Sequence, residues 1–379
     1  MSQETIQDLN RYQLVSRLTV PGADESYLHK TSKGLVAWHY DLDHQVEDNH
    51  YDGYIPLAEV ERRLFNWEAV QEPLSTVVPW DAPVADGLEV HPEPIFLYGK
   101  AYKLVTDPTR QIIVRSDNQT PLGVFRDTYT PHPYKEWLLD NVAVILDEAG
   151  KDLGITSAGL LRNGAVAYVQ VQPQNGTTIG GDLLVPLLTA SGSFDGSLST
   201  SYTAGKYRAV CDNSLSAAIY EAEATGHRAV YQHRGSATLK AAHARETLGL
   251  FFEAQDAFDR EVEKLQNTTV QEDQFWAIVG QIHEAPKAEA TDRVWGNYER
   301  KLTTLGTLWS EDDRVAPFTG TAWGAYQALN TYDQHVGGFK RSRDAGSRFE
   351  RNKLNVVTGS AARSDSDIIS TIHKVLQPA

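Results

Sequence analysis

The sequence predicts an α+β fold, with a mostly antiparallel sheet of hairpins in the middle of the chain followed by a helical C-terminal region. Three observations carry this. Asn163-Gly164 and Asp195-Gly196 each stand between short apolar runs, and such pairs supply the positive φ values of a two-residue hairpin turn. From Ser236 onward, apolar residues recur at helical spacing. The chain has 379 residues, 41% hydrophobic and 22% charged, which gives room for two or three domains and excludes a wholly disordered or fibrous molecule.

Taken in order, residues 1–105 form an acidic region read as irregular, because periodicity is weak and prolines stand at 56, 73, 79, 83, 92 and 94. One short helix is predicted there, from Leu57 to Trp67. Residues 106–235 are read as the α+β antiparallel-sheet domain. Ile112 to Arg115 and Leu122 to Phe125 make a first hairpin. A helix follows Pro133, with Trp137, Leu138, Val142, Ile145 and Ala149 in phase and Gly150 as its left-handed stop. Ile155 to Leu161 pairs with Ala165 to Gln172, and Leu183 to Ala190 with Leu198 to Tyr202. After Tyr207 to Cys211, Asp212-Asn213-Ser214 reads as the N-cap of a helix over Leu215 to Ala224.

Residues 236–338 form the helical region. Leu248, Phe251, Phe252, Phe258, Val262 and Leu265 mark one face of a long helix. Thr269-Val270-Gln271-Glu272 fits a capping box before Phe275, Ile278, Val279 and Ile282. Trp295 to Trp309 and Ala322 to Val336 supply two more helices, and Gly337-Gly338 ends the region. Residues 339–379 are read as a basic flexible tail with a short helix from Asp367 to Leu376.

Charge is uneven along the chain. The net charge is −15, yet residues 339–379 hold 8 Lys/Arg against 4 Asp/Glu, while residues 1–100 hold 17 Asp/Glu against 7 Lys/Arg. The single cysteine, Cys211, excludes an intrachain disulfide and a cysteine-based zinc framework, and its apolar surroundings suit a buried small side chain. No apolar run reaches the length of a membrane span and the polar start lacks a signal-peptide pattern, so the expected setting is the cytoplasm, with no membrane contact.

Two groups of residues carry candidate chemistry. His39, Asp41, Asp43 and His44, followed by Asp48, His50 and Asp52, concentrate imidazole and carboxylate ligands that could hold a divalent metal with an open position for water. An ordinary acidic surface loop has the same composition. Lys206, Tyr207, Arg208, Arg228, Tyr231, Arg234, Lys240 and Arg245 alternate cations and rings, which suits phosphate pairing with base stacking. A salt-bridged sheet edge and a solvated helix face would read alike. Lys340, Arg341, Arg343, Arg348, Arg351 and Lys353 could add a phosphate-binding arm. Neither a phosphate-cradling Gly-rich loop nor a nucleophile elbow is present, so nucleotide hydrolysis and serine-type acyl transfer are not expected, and no cofactor or catalytic residue is assigned.

Several segments together resemble a phage/plasmid-like family of unknown function found in actinobacterial phages and laterally transferred regions. They are Trp38-His39, Asn66-Trp67, Ile113-Val114-Arg115-Ser116-Asp117, Leu122-Gly123-Val124 and Asp127-Thr128-Tyr129-Thr130-Pro131. Leu188-Thr189, Phe194-Asp195-Gly196-Ser197, Tyr207 to Leu215, His233-Arg234-Gly235-Ser236 and Thr321 to Tyr326 continue it. The resemblance covers most of residues 35–340. It departs where Tyr40 to His44 is acidic in place of a Gly-rich stretch, and in a tail less basic than the family's. It implies a phage or mobile-element product acting inside a bacterium, and the order of hairpins and helices is similar to that of single-strand annealing proteins.

Three functions follow as expectations. The first is a single-stranded DNA-binding or annealing protein acting in recombination or replication without nucleotide hydrolysis, and able to form a homo-oligomer. The second is a metal-dependent hydrolase using the His39 to Asp52 cluster. The third is a non-catalytic protein that binds a host protein through its acidic N-terminal region.

Overall fold

A computed structural model of the chain describes residues 12–16, 49–51, 53–150, 153–208, 214–215, 229–231, 241–312, 315–338 and 348–377. In chain order the elements begin with β1 (Gln13–Ser16), β2 (His50–Tyr51), α1 (Leu57–Leu64), β3 (Ala69–Pro79), β4 (Glu89–Val90), β5 (Ile95–Leu97), β6 (Lys100–Arg115) and β7 (Pro121–Arg126). A π-helical turn (Lys135–Asp140) leads into α2 (Asn141–Ala149), then β8 (Leu153–Leu161), β9 (Val166–Pro173), β10 (Thr177–Ile179), β11 (Asp182–Ser193), β12 (Thr200–Arg208), β13 (Ser214–Leu215) and β14 (Ala229–Tyr231). The remainder is helical: α3 (Ala241–Asn267), α4 (Glu272–Ile282), α5 (Asp292–Glu311), α6 (Ala322–Thr331) with a second π turn (Tyr332–Val336), α7 (Arg348–Val357) and α8 (Ser360–Leu376). The fold is α+β.

The larger sheet runs β13-β12-β11-β9-β8-β1-β2, with β10 added to β11 and β14 to β12. Its centre is an antiparallel meander of β8, β9, β11 and β12. Alternation gives the sheet two unlike faces. Ala158, Val169, Ala190 and Tyr202 align across the four strands on one face, in register. They bury against Val60 and Leu64 of α1, Leu138 of the first π turn, Val142 and Ile145 of α2, and Leu248 and Phe251 of α3. On the other face Gln170, Thr189 and Thr203 align, as do Tyr168, Ser191 and Ser201, all buried. Gln170 donates to Thr189 at 3.3 Å, and Ser191 and Ser201 pair at 3.4 Å. Helix α7 packs there, with Leu354 and Val357 against Leu161, Val166 and Tyr168, and Lys353 donating to Gln170 Oε1 at 3.0 Å.

The second sheet is an arm. Strand β6 pairs with β3 from Ala69↔Arg115 to Pro79↔Tyr102, with a bulge at Pro73/Leu74, while β7 pairs at its base and β4 and β5 near its tip. The sequence reading treated residues 69–105 as irregular, and its boundary at 105/106 falls inside β6. The reason is physical: a narrow ribbon with no second layer over its tip has no buried face, so its strands lack the apolar alternation by which strands are recognised. The turn between β5 and β6 is Tyr98-Gly99, both with positive φ (51° and 74°), the conformation a two-residue hairpin demands.

Helices α3 to α6 and α8 enclose a second core around Phe275, Ile278, Leu305, Trp323, Tyr326, Ile368 and Ile372. Trp323 stacks on Tyr326 and donates its indole N–H to the buried Asp182 Oδ2 at 2.9 Å, tying α6 to the start of β11. The predicted capping box is displaced: Gln271, not Thr269, precedes α4, and its N–H donates to Gln274 Oε1 at 2.9 Å. Thr269 instead bridges to Thr321, whose hydroxyl accepts the Gly324 N–H at 3.1 Å. Leu215, expected in a helix, lies in β13; the rest of that segment is outside the described residues. The tail read as flexible holds two packed helices, α7 and α8. Their cations are engaged, Arg348 with the Gln334 and Gly337 carbonyls and Arg351 with the Asp333 carbonyl, where the second π turn leaves acceptors open.

Lys206 is fully buried and ion-paired with Asp259 of α3. Burial pushes its ammonium down, and Asp259 and then Asp256 pull it back up. Asp259→Ala therefore strands a buried charge and lowers unfolding free energy by about 3 kcal/mol. The double change Lys206→Met with Asp259→Leu recovers most of that loss, as read by urea denaturation. His283, beside Lys301 Nζ at 3.5 Å, is held down to about 4 by burial and by that cation. An unfolded histidine titrates near 6.5, so the unfolded chain binds the extra proton between these values. This contribution to stability is complete above pH 6.5 and is lost as pH falls toward 4, and His283→Asn flattens that part of the melting-temperature profile.

Candidate functional site

The sequence cations and rings fall into three groups in the structure. His39, Asp41, Asp43 and His44, with Arg228, Arg234, Lys240, Lys340, Arg341 and Arg343, lie outside the described residues, as does Cys211. Among the described residues no group of three or more His, Cys, Asp or Glu is gathered to hold a metal ion. Lys206 is a correction, since its ammonium is buried under α3 and 5.5 Å from the Phe258 ring centroid. It continues the inward alternation of Tyr202 and Ala204, a pattern legible in the sequence but hidden by reading Lys206-Tyr207-Arg208 as one basic cluster.

Backbone register places Tyr207 and Tyr231 on one edge of β12, about 23 Å apart. Tyr207 pairs with Ser214 of β13, and Thr200 pairs with Tyr231 of β14, both on the outer edge of β12. Thr200 and Arg208 stand about 26 Å apart by strand rise, so β14 and β13 hold opposite ends of that edge. Arg245 lies in the first turns of α3, which packs along β12 through Gln255 Nε2 donating to the Gly205 carbonyl at 3.1 Å.

A second constellation was not assigned a role from the sequence. Trp67, Arg115, Asp117, Phe125, Tyr129, Phe194 and Asp195, spread over the first half of the chain, meet where the arm joins the larger sheet. Arg115 is buried, with Nε and Nη2 on the two carboxylate oxygens of Asp117 at 2.9 and 2.7 Å. Its Nη1 donates to the Asn163 carbonyl at 3.1 Å, and the guanidinium lies 4.1 Å from the Trp67 ring centroid. Trp67 meets Tyr134 and Phe194 edge-on, and the Tyr134 hydroxyl donates to the Gly164 and Ala165 carbonyls at 3.0 and 2.8 Å. Arg162, Asn163 and Gly164 all have positive φ, and Arg162 pairs with Asp195 at 2.8 Å. Such strain in a bulky residue persists only where surrounding contacts fix it.

This constellation is a mechanical joint. Burial, and secondarily Asp195, pushes the Tyr129 phenol up to about 12, and burial raises that of Tyr134 well above its ordinary value. Burial works to raise the Asp195 carboxyl, but hydrogen bonds from Ser197 and the Arg162 pair outweigh it and hold it low. Each of these groups keeps one protonation state near neutral pH, which does not suit general acid–base work.

The fold is that of an α+β protein built on a two-faced antiparallel meander, with a β arm at one end and a helical layer at the other. Residues 121–356 match the family described as Domain of unknown function (DUF932), and the chain belongs to that family. The match begins at β7, the last strand of the arm, and runs through most of α7. No curated protein and no solved structure matches the chain. Among the described residues, no helix is long and apolar enough to cross a membrane.

Gly164→Ala tests the joint. An added Cβ would stand 2.6 Å from Arg115 Nη1 at a φ of 101° that L residues rarely adopt. The substitution costs about 2 kcal/mol or more, and Asp117→Ala, which leaves the buried Arg115 without its carboxylate, costs about 3 kcal/mol. Both are read from denaturant midpoints followed by circular dichroism.

Proposed function

We propose that this chain is a single-stranded DNA-binding protein of the annealing type, acting in recombination or replication of a phage or mobile element without nucleotide hydrolysis. The observation that carries the reading is the outer edge of β12. Tyr207, Arg208 and Tyr231 belong to that edge or to the strands paired with it, and Arg228 and Arg234 are three residues from Tyr231 in sequence. A strand edge of about 26 Å with rings and cations along it is the length of several nucleotides, and combines phosphate pairing with stacking. Lys206 has no part in it. The likeness of the meander-then-helix order to annealing proteins adds support by analogy, and the cytoplasm of a bacterial host is the setting this function requires.

The test is fluorescence anisotropy with labelled single-stranded and duplex DNA across a salt series. Single strands bind preferentially and salt-dependently, and Arg208→Gln, Arg228→Gln and Arg234→Gln each reduce the slope of log K against log salt by about 0.7. Tyr207→Ala and Tyr231→Ala weaken binding without changing that slope. An unaltered slope in the arginine variants removes this surface, and absence of single-strand binding at low salt removes the function.

A further inference from the structure

The arm exposes apolar surface that the proposed nucleic-acid contact along β12 does not use. Among the described residues, seven of the eleven exposed large apolar side chains lie between Val77 and Tyr98: Val77, Trp80, Leu88, Val90, Phe96, Leu97 and Tyr98. Phe96 is 70% exposed and Tyr98 fully so. Concentration of this kind marks an interaction surface. Strand β3 lies beside it and has a single neighbour, β6, among the described residues, so its other edge is open.

The polarity of that edge can be worked out. Trp80 N–H donates to the Ala101 carbonyl at 3.1 Å, and the register from Leu74 to Pro79 is unbroken. Backbone groups alternate in direction, so Leu74, Thr76 and Val78 bond to β6, while Ser75 and Val77 turn both N–H and C=O outward. Proteins usually guard such edges with charge or proline. Here Pro73 and Pro79 close the two ends, and no charged side chain stands between them.

We propose that β3 pairs with β3 of a second copy of this chain, antiparallel and centred on Thr76, to form a two-fold dimer. Four features of the edge select this occupant. The prolines lie three residues on either side of Thr76, so in this register Pro73 faces Pro79 of the other copy and the ladder ends where N–H groups end. Ser75 faces Val77 at both symmetric positions, and each pair exchanges two hydrogen bonds. Thr76 faces Thr76 as a non-hydrogen-bonded pair, a favourable cross-strand match. Glu72 faces Trp80, so no like charges meet. A nucleic acid strand is a poorer occupant, because residues 69–110 carry six acids against three Lys/Arg. The surface is isologous, as a two-fold interface requires.

Light scattering on the full chain reads the dimer as a doubled mass that dissociates on dilution. Val77→Pro removes an outward N–H that has no bond in the monomer and is tolerated at an open edge. It yields a monomer with unchanged circular dichroism and melting temperature. In a Cys211→Ser background, Thr76→Cys oxidises to a covalent dimer, since facing Cα atoms in such a pair lie about 4.5 Å apart. Leu74→Cys does not, because its symmetry mate is about 13 Å away. A monomeric parent chain at about 100 µM, a Val77→Pro chain that stays dimeric, or equal crosslinking at positions 74 and 76 would each overturn the proposal.

Discussion

A wide sheet has two faces to hide from water, and most of this molecule follows from how unlike those faces are. One is made of Ala, Val, Leu and Tyr and needs a continuous apolar cover, which α1, α2 and α3 supply. The other carries a row of Ser, Thr and Gln beside Leu161, Val166 and Tyr168, and α7 packs on that apolar corner through Leu354 and Val357, with Lys353 reaching Gln170. Segments distant in sequence are thereby obliged to return to the same four strands. The helical layer then builds its own core against the end of β11, through Ile179, Leu184 and the Asp182 to Trp323 hydrogen bond.

The elements that were legible from sequence are those whose burial is one-sided and local. The hairpins at Asn163-Gly164 and Asp195-Gly196 and the helix after Pro133 were recoverable because a turn residue or an apolar stripe marks each, although the connections span residues 162–165 and 194–199 and are longer than the two-residue turns expected. The first turn holds a detail beyond the signal: Arg162 also adopts positive φ, because its side chain is drawn to Asp195 and its position is fixed by the Arg115 joint. The base of the arm, Ile112 to Arg115 paired with Leu122 to Phe125, was legible too, but residues 69–105 were illegible for the opposite reason. The arm's tip has no buried side, and the prolines taken as breaks are edge residues that a ribbon accommodates.

The candidate site divides along the same line. Composition singles out a region rich in cations and rings, but composition carries no direction, and Lys206 points inward because its place in the alternation of β12 does. The joint around Arg115 could not be assembled from spacing, since its members come from four separate segments and meet only through β6 and the β8–β9 turn. The acidic Asp117 two residues from Arg115 is the one local clue, and a buried arginine with a bidentate carboxylate is a pairing that side chains at that separation can make within a strand end and its turn.

The hydroxyl-rich face under α7 has an effect on how this molecule comes apart. Lifting an ordinary helix from a sheet bares grease, which invites aggregation. Lifting α7 bares Leu354 and Val357 together with Leu161, Val166 and Tyr168, at about 2 kcal/mol for each aliphatic side chain, and frees Gln170, which water can solvate at once. Opening of α7 therefore exposes one small apolar cluster, with the larger apolar face of the meander still sealed from the far side.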